Sequence, residues 1–187
     1  TADQAFLSVC RGTNGVYPLG YLPHNWHFAM MTAGLTGSRG MAHARSGRLE
    51  QAARDAEALH ATATDPAIAR TNIGMNNAEA VLRIADSLLR GELLRARGRN
   101  TEALAALREA AAAEDKLNYN EPADWPLPVR WYLGAALLEA DDAKGAADVY
   151  RQDLQTYPDN GWSLFGLAQA QRTLGDAAGA ADSERRY

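Results

Sequence analysis

Residues 127–160 read LPVRWYLGAALLEADDAKGAADVYRQDLQTYPDN, and residues 161–187 read GWSLFGLAQAQRTLGDAAGAADSERRY. The two stretches align at a spacing of 34 residues: Leu133-Gly134 with Leu167-Ala168, Asp141-Asp142 with Gly175-Asp176, and Ala146 with Ala180. Self-similarity at such a period marks a supersecondary unit that is repeated because it cannot bury its apolar face alone. The pattern within each stretch predicts two helices. Gly134 sits midway along the first, where a small residue lets the partner helix approach. Asp141-Asp142 holds the turn, and Ala146 lies at the closest crossing. Tyr150 fills the gap on the second helix, and Pro158 ends it, since proline cannot continue a helix. The last unit stops at Tyr187, so its second helix is expected to be short and its apolar end uncapped.

The same roles recur upstream. From about Ile84 to Asp115, Gly91 takes the small position, Gly98-Arg99 the turn, Ala103 the crossing, and Leu107 and Ala110 the second helix. The spacing to the next unit is 43, and the extra residues fall in Asp115–Pro128, whose Asn and Pro content predicts an elongated loop. Residues 33–59 give another unit, with Gly40, Gly47-Arg48, Ala52 and Ala56 in the equivalent places. A partial unit, 23–38, places Trp26 on a first helix and Gly37-Ser38 at its turn. The last two units overlap, so either the first has lost its second helix or residues are skipped between about Gly37 and Arg39, and the skip is the favoured reading. The whole chain, 1–187, reads as one all-α domain of antiparallel helix pairs. β-branched residues are sparse and no stretch alternates with period two, so strands are not expected.

Composition narrows the function classes. The net charge of −4 comes without a basic stripe, which argues against nucleic acid as a partner. No apolar run approaches the ~20 residues that span a bilayer. The single cysteine, Cys10, excludes an intrachain disulfide and leaves both cytoplasm and periplasm open. The N-terminal Thr1-Ala2-Asp3-Gln4 lacks the basic and apolar regions of a targeting segment. No phosphate-cradling glycine loop, nucleophile elbow or paired-cysteine zinc pattern is present, so binding is favoured over catalysis.

Several runs carry a more specific likeness. They are Tyr17-Pro18, Pro23-His24-Asn25-Trp26-His27-Phe28, Tyr119-Asn120-Glu121-Pro122 with Trp125-Pro126, Tyr150-Arg151-Gln152-Asp153-Leu154 and Pro158-Asp159-Asn160-Gly161-Trp162. In these the chain resembles a group of bacterial tetratricopeptide-repeat (TPR) proteins of uncharacterised function. Members typically carry more helices between the N-terminal block and the rest. The resemblance implies a TPR-like α-solenoid: helix pairs stacked with a slight rotation into a right-handed superhelix around a concave face. It implies function only weakly, because one scaffold serves many roles.

Three sets of residues stand out. On usual TPR geometry the inward positions are Leu88, Glu92 and Arg95, then Trp131, Ala135, Leu138 and Glu139, then Trp162, Phe165, Gln169 and Arg172. Aromatic anchors with charges of both signs suit a peptide, a protein segment or a partner subunit, and need no cofactor. The competing role for these positions is stacking between helix pairs. In the Tyr119–Trp125 loop, Trp125 and Trp131 are placed to clamp a ligand and Arg130 to hold a carboxylate through its fork. The alternative there is a loop stiffened by proline, with Trp125 as a plug. The third set is Cys10, His24 and His27, with His24 and His27 on one helical face and Met30, Met31 and Met41 nearby. Thiolate and imidazole are ligands for copper, zinc or iron, or form an activated thiol; structural polar packing is the preferred reading over these, and ligand contact without a metal is the third. His43 and His60 are expected to be solvated or satisfied locally. The uncapped end also fits a subunit of a larger assembly.

Overall fold

The computed structural model describes residues 22–121 and 123–187, with side chains from Ala33 onward. Along the chain lie α1 (Leu22–Arg45), α2 (Leu49–Ala63), a 3₁₀ turn (Ile68–Arg70), β1 (Asn72–Ile73), β2 (Asn76–Asn77), α3 (Ala78–Ala96), α4 (Asn100–Glu114), α5 (Val129–Glu139), α6 (Ala143–Thr156), α7 (Gly161–Thr173) and α8 (Ala177–Arg186). The described residues are thus all-α apart from one hairpin. Each helix packs on its neighbours in sequence, α1 also packs on α3, and α5 on α7. No helix among them is long and apolar enough to cross a membrane.

One turn is built four times. Gly47, Gly98, Asp141 and Gly175 all take positive φ, at 73°, 73°, 60° and 78°. Behind each, the next residue's N–H reaches back to the fifth carbonyl: Arg48 to His43, Arg99 to Leu94, Asp142 to Leu137 and Asp176 to Gln171, all within 2.9–3.0 Å. The left-handed residue donates to the third carbonyl before it, completing a Schellman motif that satisfies the helix-end carbonyls and reverses the chain. The following helix starts at once. Asp142 and Asp176 cap it through Gly145 and Gly179 N–H, at 2.8 and 2.9 Å. Arg48 and Arg99 at the same place make no side-chain cap.

Close approach at the pair interface follows from the small residues. A Cβ on Gly91 would stand 2.8 Å from Leu107, and one on Gly40 2.7 Å from Leu89. Gly134 and Gly166 both face the Tyr150 ring, which fills the space between α5 and α7 and is almost fully buried. The core runs on through Ile84, Leu88, Leu107, Val129, Leu133, Leu137 and Leu167, joining α3 to α7. Leu59, Ile68, Leu82 and Leu89 extend it towards α1 and α2. Each fully buried leucine contributes about 1.5–3 kcal/mol to folding.

Three sequence expectations are corrected. α1 is unbroken through 37–40, so Gly37-Ser38 is helix interior rather than a turn, and the 23–38 and 33–59 units share one first helix. Gly37 and Gly40 serve as contact points with Leu59 and Leu89, a use of glycine inside a helix that looks like a breaker in sequence. The unit expected from Ile84 begins earlier, at Ala78, where the Asn77 side chain accepts the Glu79 N–H at 2.9 Å. Before it, Asn72 pairs with Asn77 and Ile73 with Asn76 in an antiparallel hairpin. Strands of two residues are too short to show a period.

Candidate functional site

α5 and α7 lie side by side and turn their aromatic residues the same way. The Trp131 and Trp162 rings are 6.2 Å apart and tilted by 34°. Phe165, one turn along α7, meets Tyr187 at 5.8 Å. Trp162 is 69% exposed and Phe165 48%, large values for rings of this size. Together with Ala135, Leu138, Glu139 and Gln169 they enclose a concavity of about 320 Å³, floored by Tyr150 and Gly166. Burial first, and then the neighbouring Asp153, pushes the Tyr150 phenol up to about 12, so it stays neutral.

At one end of this concavity Glu139 accepts two hydrogen bonds from Arg95 Nη1, at 2.5 and 2.6 Å. Arg95 also reaches the buried Glu92, which takes a second cation, Arg45 Nε, at 2.8 Å. Arg45 in turn lies 5.4 Å above the Tyr132 ring. These residues join α1, α3 and α5 in one charge network, and Glu92 is compensated from both sides. A buried carboxylate without such partners would be costly.

Asp153 holds the other side. It is 2% exposed, and its Oδ2 accepts from Ser163 Oγ at 2.5 Å, Asn160 Nδ2 at 2.7 Å and Trp131 Nε1 at 3.3 Å. One oxygen therefore ties α5, the α6–α7 turn and α7 together, and fixes the Trp131 ring that walls the concavity. Beyond Trp131 a second hollow, about 330 Å³, is lined by Trp125, Pro126, Pro128, Tyr157 and Asn160. Trp125 and Tyr157 also wall a third and larger one of about 560 Å³, between the ends of α4 and α6 and the 115–128 loop.

That third hollow is rich in carboxyl groups: Glu114, Asp115, Glu121, Asp124 and Asp153, against the single guanidinium of Arg130. Arg130 forks onto both Asp115 oxygens at 2.7 and 2.8 Å. Asp124 accepts from Asn120 Nδ2 at 2.9 Å and Asn76 Nδ2 at 2.8 Å. Asn76 also bonds the Asn118 backbone in both directions, and Asn118 Nδ2 reaches the Met75 carbonyl, so the hairpin and the loop are one assembly. A Cβ on Gly74 would overlap the Asn120 amide nitrogen, so a side chain there would displace that amide. Glu114 accepts the Val129 N–H at 2.9 Å through Oε2. Burial raises its carboxyl to about 7, Asp115 and Asp153 adding to the rise and the Val129 bond and Arg130 opposing it.

The sequence candidates therefore divide. Trp131, Glu139, Trp162, Phe165 and Gln169 share the first concavity, and Trp125 shares the second with Trp131. Arg130 lines the third with its fork engaged by Asp115. Arg172 stands apart from all three, paired with Glu184 of α8, because the last helix is long enough to reach it. Leu88 is core rather than surface, 1% exposed. His43 Nδ1 meets Asp55 at 2.8 Å and His60 Nδ1 meets Asp86 at 2.9 Å, so both are locally satisfied. Cys10 and the side chains of His24 and His27 lie outside the described residues; among those described, no group of three His, Cys, Asp or Glu is arranged to hold a metal ion. Sequence reasoning missed Asp153 and Glu114. Asp153 had a signal, since it continues the buried stripe Ala143, Ala146, Ala147 and Tyr150 with a carboxylate. Comparison with protein-family models, with curated proteins and with solved structures gives no match to this chain.

Proposed function

We propose that the chain is a TPR-like solenoid whose concave surface captures an extended segment of a partner protein. The observation that carries this is the open aromatic wall formed by Trp131, Trp162 and Phe165 over the Tyr150 floor. Contiguous exposed apolar surface of this kind marks interaction sites, and tryptophan is over-represented among residues that dominate binding energy. The four equivalent turns and the 34-residue spacing support the repeat scaffold. Such scaffolds present binding surfaces along their inner face. The concavity carries no unpaired cation: its one charged group, Glu139, is matched by Arg95. Side-chain recognition, rather than capture of a terminal carboxylate, fits that surface best.

The test uses an array of acetylated, randomised dodecapeptides. The wild-type chain should retain a defined subset. Trp162→Ala with Phe165→Ala should cut retention about tenfold or more, the loss expected of two hot-spot rings. Both rings are exposed, so melting should change little. Undiminished retention by the folded double variant would remove the concavity from consideration.

A further inference from the structure

The three hollows adjoin through shared lining residues. Trp131 belongs to the first and the second; Trp125 and Tyr157 belong to the second and the third. An extended segment lying along the aromatic wall would pass Trp131 and arrive at the acidic end. We propose that the captured segment carries a lysine or arginine whose side chain enters the hollow between α4, α6 and the 115–128 loop, so that the ligand class is a basic–apolar peptide. This rests on the groove reading above and narrows it.

Charge complementarity selects this occupant. Five carboxyl groups face one guanidinium, and that guanidinium is held by Asp115. A low-dielectric recess lined by one sign of charge focuses its field and favours the opposite charge. Most of those carboxylates are engaged. Asp124 is bonded through both oxygens, Asp153 has three donors, and Glu121 takes the Tyr119 hydroxyl. Glu114 takes the Val129 N–H on Oε2, while its Oε1, like Asp153 Oδ1 and Glu121 Oε2, makes no hydrogen bond among the described residues. These oxygens are the acceptors available to an incoming N–H, and Glu114 carries the one at the junction of α4 and α5. Burial among other carboxylates also holds Glu114 high, near 7, and a cation beside it recovers the anion. The walls suit the rest of such a side chain. Trp125, Tyr157 and Tyr119 offer ring surface for an aliphatic stem and for the cation itself. A volume of about 560 Å³ is ample for one long side chain. An acidic or purely apolar segment would leave these carboxylates facing like charge or no charge.

The randomised dodecapeptide array reads this directly. Retained sequences should be enriched in lysine or arginine a few positions from an aromatic or aliphatic residue. The strongest retained peptide is then made with its basic residue and with norleucine in that place, and both are titrated by fluorescence anisotropy. The norleucine form should bind about tenfold more weakly, as for a charge pair close to the surface. Raising salt from about 50 to about 300 mM should weaken only the basic form. Glu114→Gln should lower affinity for the basic peptide and leave the norleucine peptide unchanged; Glu121→Gln at the rim, where folding is not at stake, should act in the same direction more weakly. Retention without basic enrichment, or equal loss for both peptides in Glu114→Gln, would overturn this inference and leave the groove standing. Retention of nothing by the wild-type chain would overturn both.

Discussion

Replacing Glu114 with glutamine should stabilise the protein above neutral pH and hardly affect it near pH 5. Glu114 closes the gap between the end of α4 and the start of α5, where it accepts the Val129 N–H. Burial, with Asp115 and Asp153 nearby, raises its carboxyl from 4.5 to about 7. A carboxyl that is harder to ionise in the folded chain than in the unfolded one contributes its full share below the unfolded value. That share is lost as pH rises through the folded value, because the unfolded chain then binds fewer protons. The window is therefore about pH 4.5–7. At about 1.4 kcal/mol for each pH unit the difference is about 3.5 kcal/mol. Partial access of solvent to the carboxyl brings the expectation to about 2–3 kcal/mol. Glutamine keeps an oxygen for Val129 and has no charge to desolvate. Asp55, held low by Arg39 first and also by His43, loses its contribution only at more acidic pH and does not interfere. Urea unfolding of both proteins at about pH 5 and about pH 8 measures the effect as a difference of differences. Wild-type stability should fall relative to the variant across that interval. If the gap between them does not change with pH, Glu114 is not the group that titrates there, and the account of the α4–α5 junction is wrong.

Asp153→Ala should cost about 3 kcal/mol, because it strands the buried Ser163 hydroxyl, the Asn160 amide and the Trp131 indole at once. A loss below about 1 kcal/mol in urea unfolding would show that these donors find other partners. Asp141→Gly should add about 0.5–1 kcal/mol by relieving the one non-glycine left-handed turn residue of the four, read as a melting point a few degrees higher. An unchanged or lower melting point would mean that the aspartate is better accommodated there than its φ suggests.

How much was legible in the chain follows from the reach of each interaction. The pairing of Gly134 with Tyr150 and the turns at 47, 98, 141 and 175 depend on residues close in sequence, and the period exposed them. The aromatic wall was legible for the same reason, since Trp131 and Phe165 hold equivalent positions in adjoining units and Trp162 lies one turn before Phe165. The errors came where a short-range signal had a long-range purpose. Gly37 suggested a turn, but it admits Leu59 from another helix. Asn76 carried no local mark of its bonds to Asn118 and Asp124. Glu114 and Arg130 owe their states to the junction of α4, α5 and α6, which only the folded chain assembles.

The hairpin at 72–77 and the loop at 115–128 bracket α3 and α4, on the side opposite the Gly98 turn. Through Asn76, Gly74, Asn118, Asn120 and Asp124 they clasp each other. The α3–α4 pair is thereby closed like a buckle: a hinge at one end, a catch at the other. Neither member can leave without unfastening the catch, and the wall of the acidic hollow is built on that clasped pair.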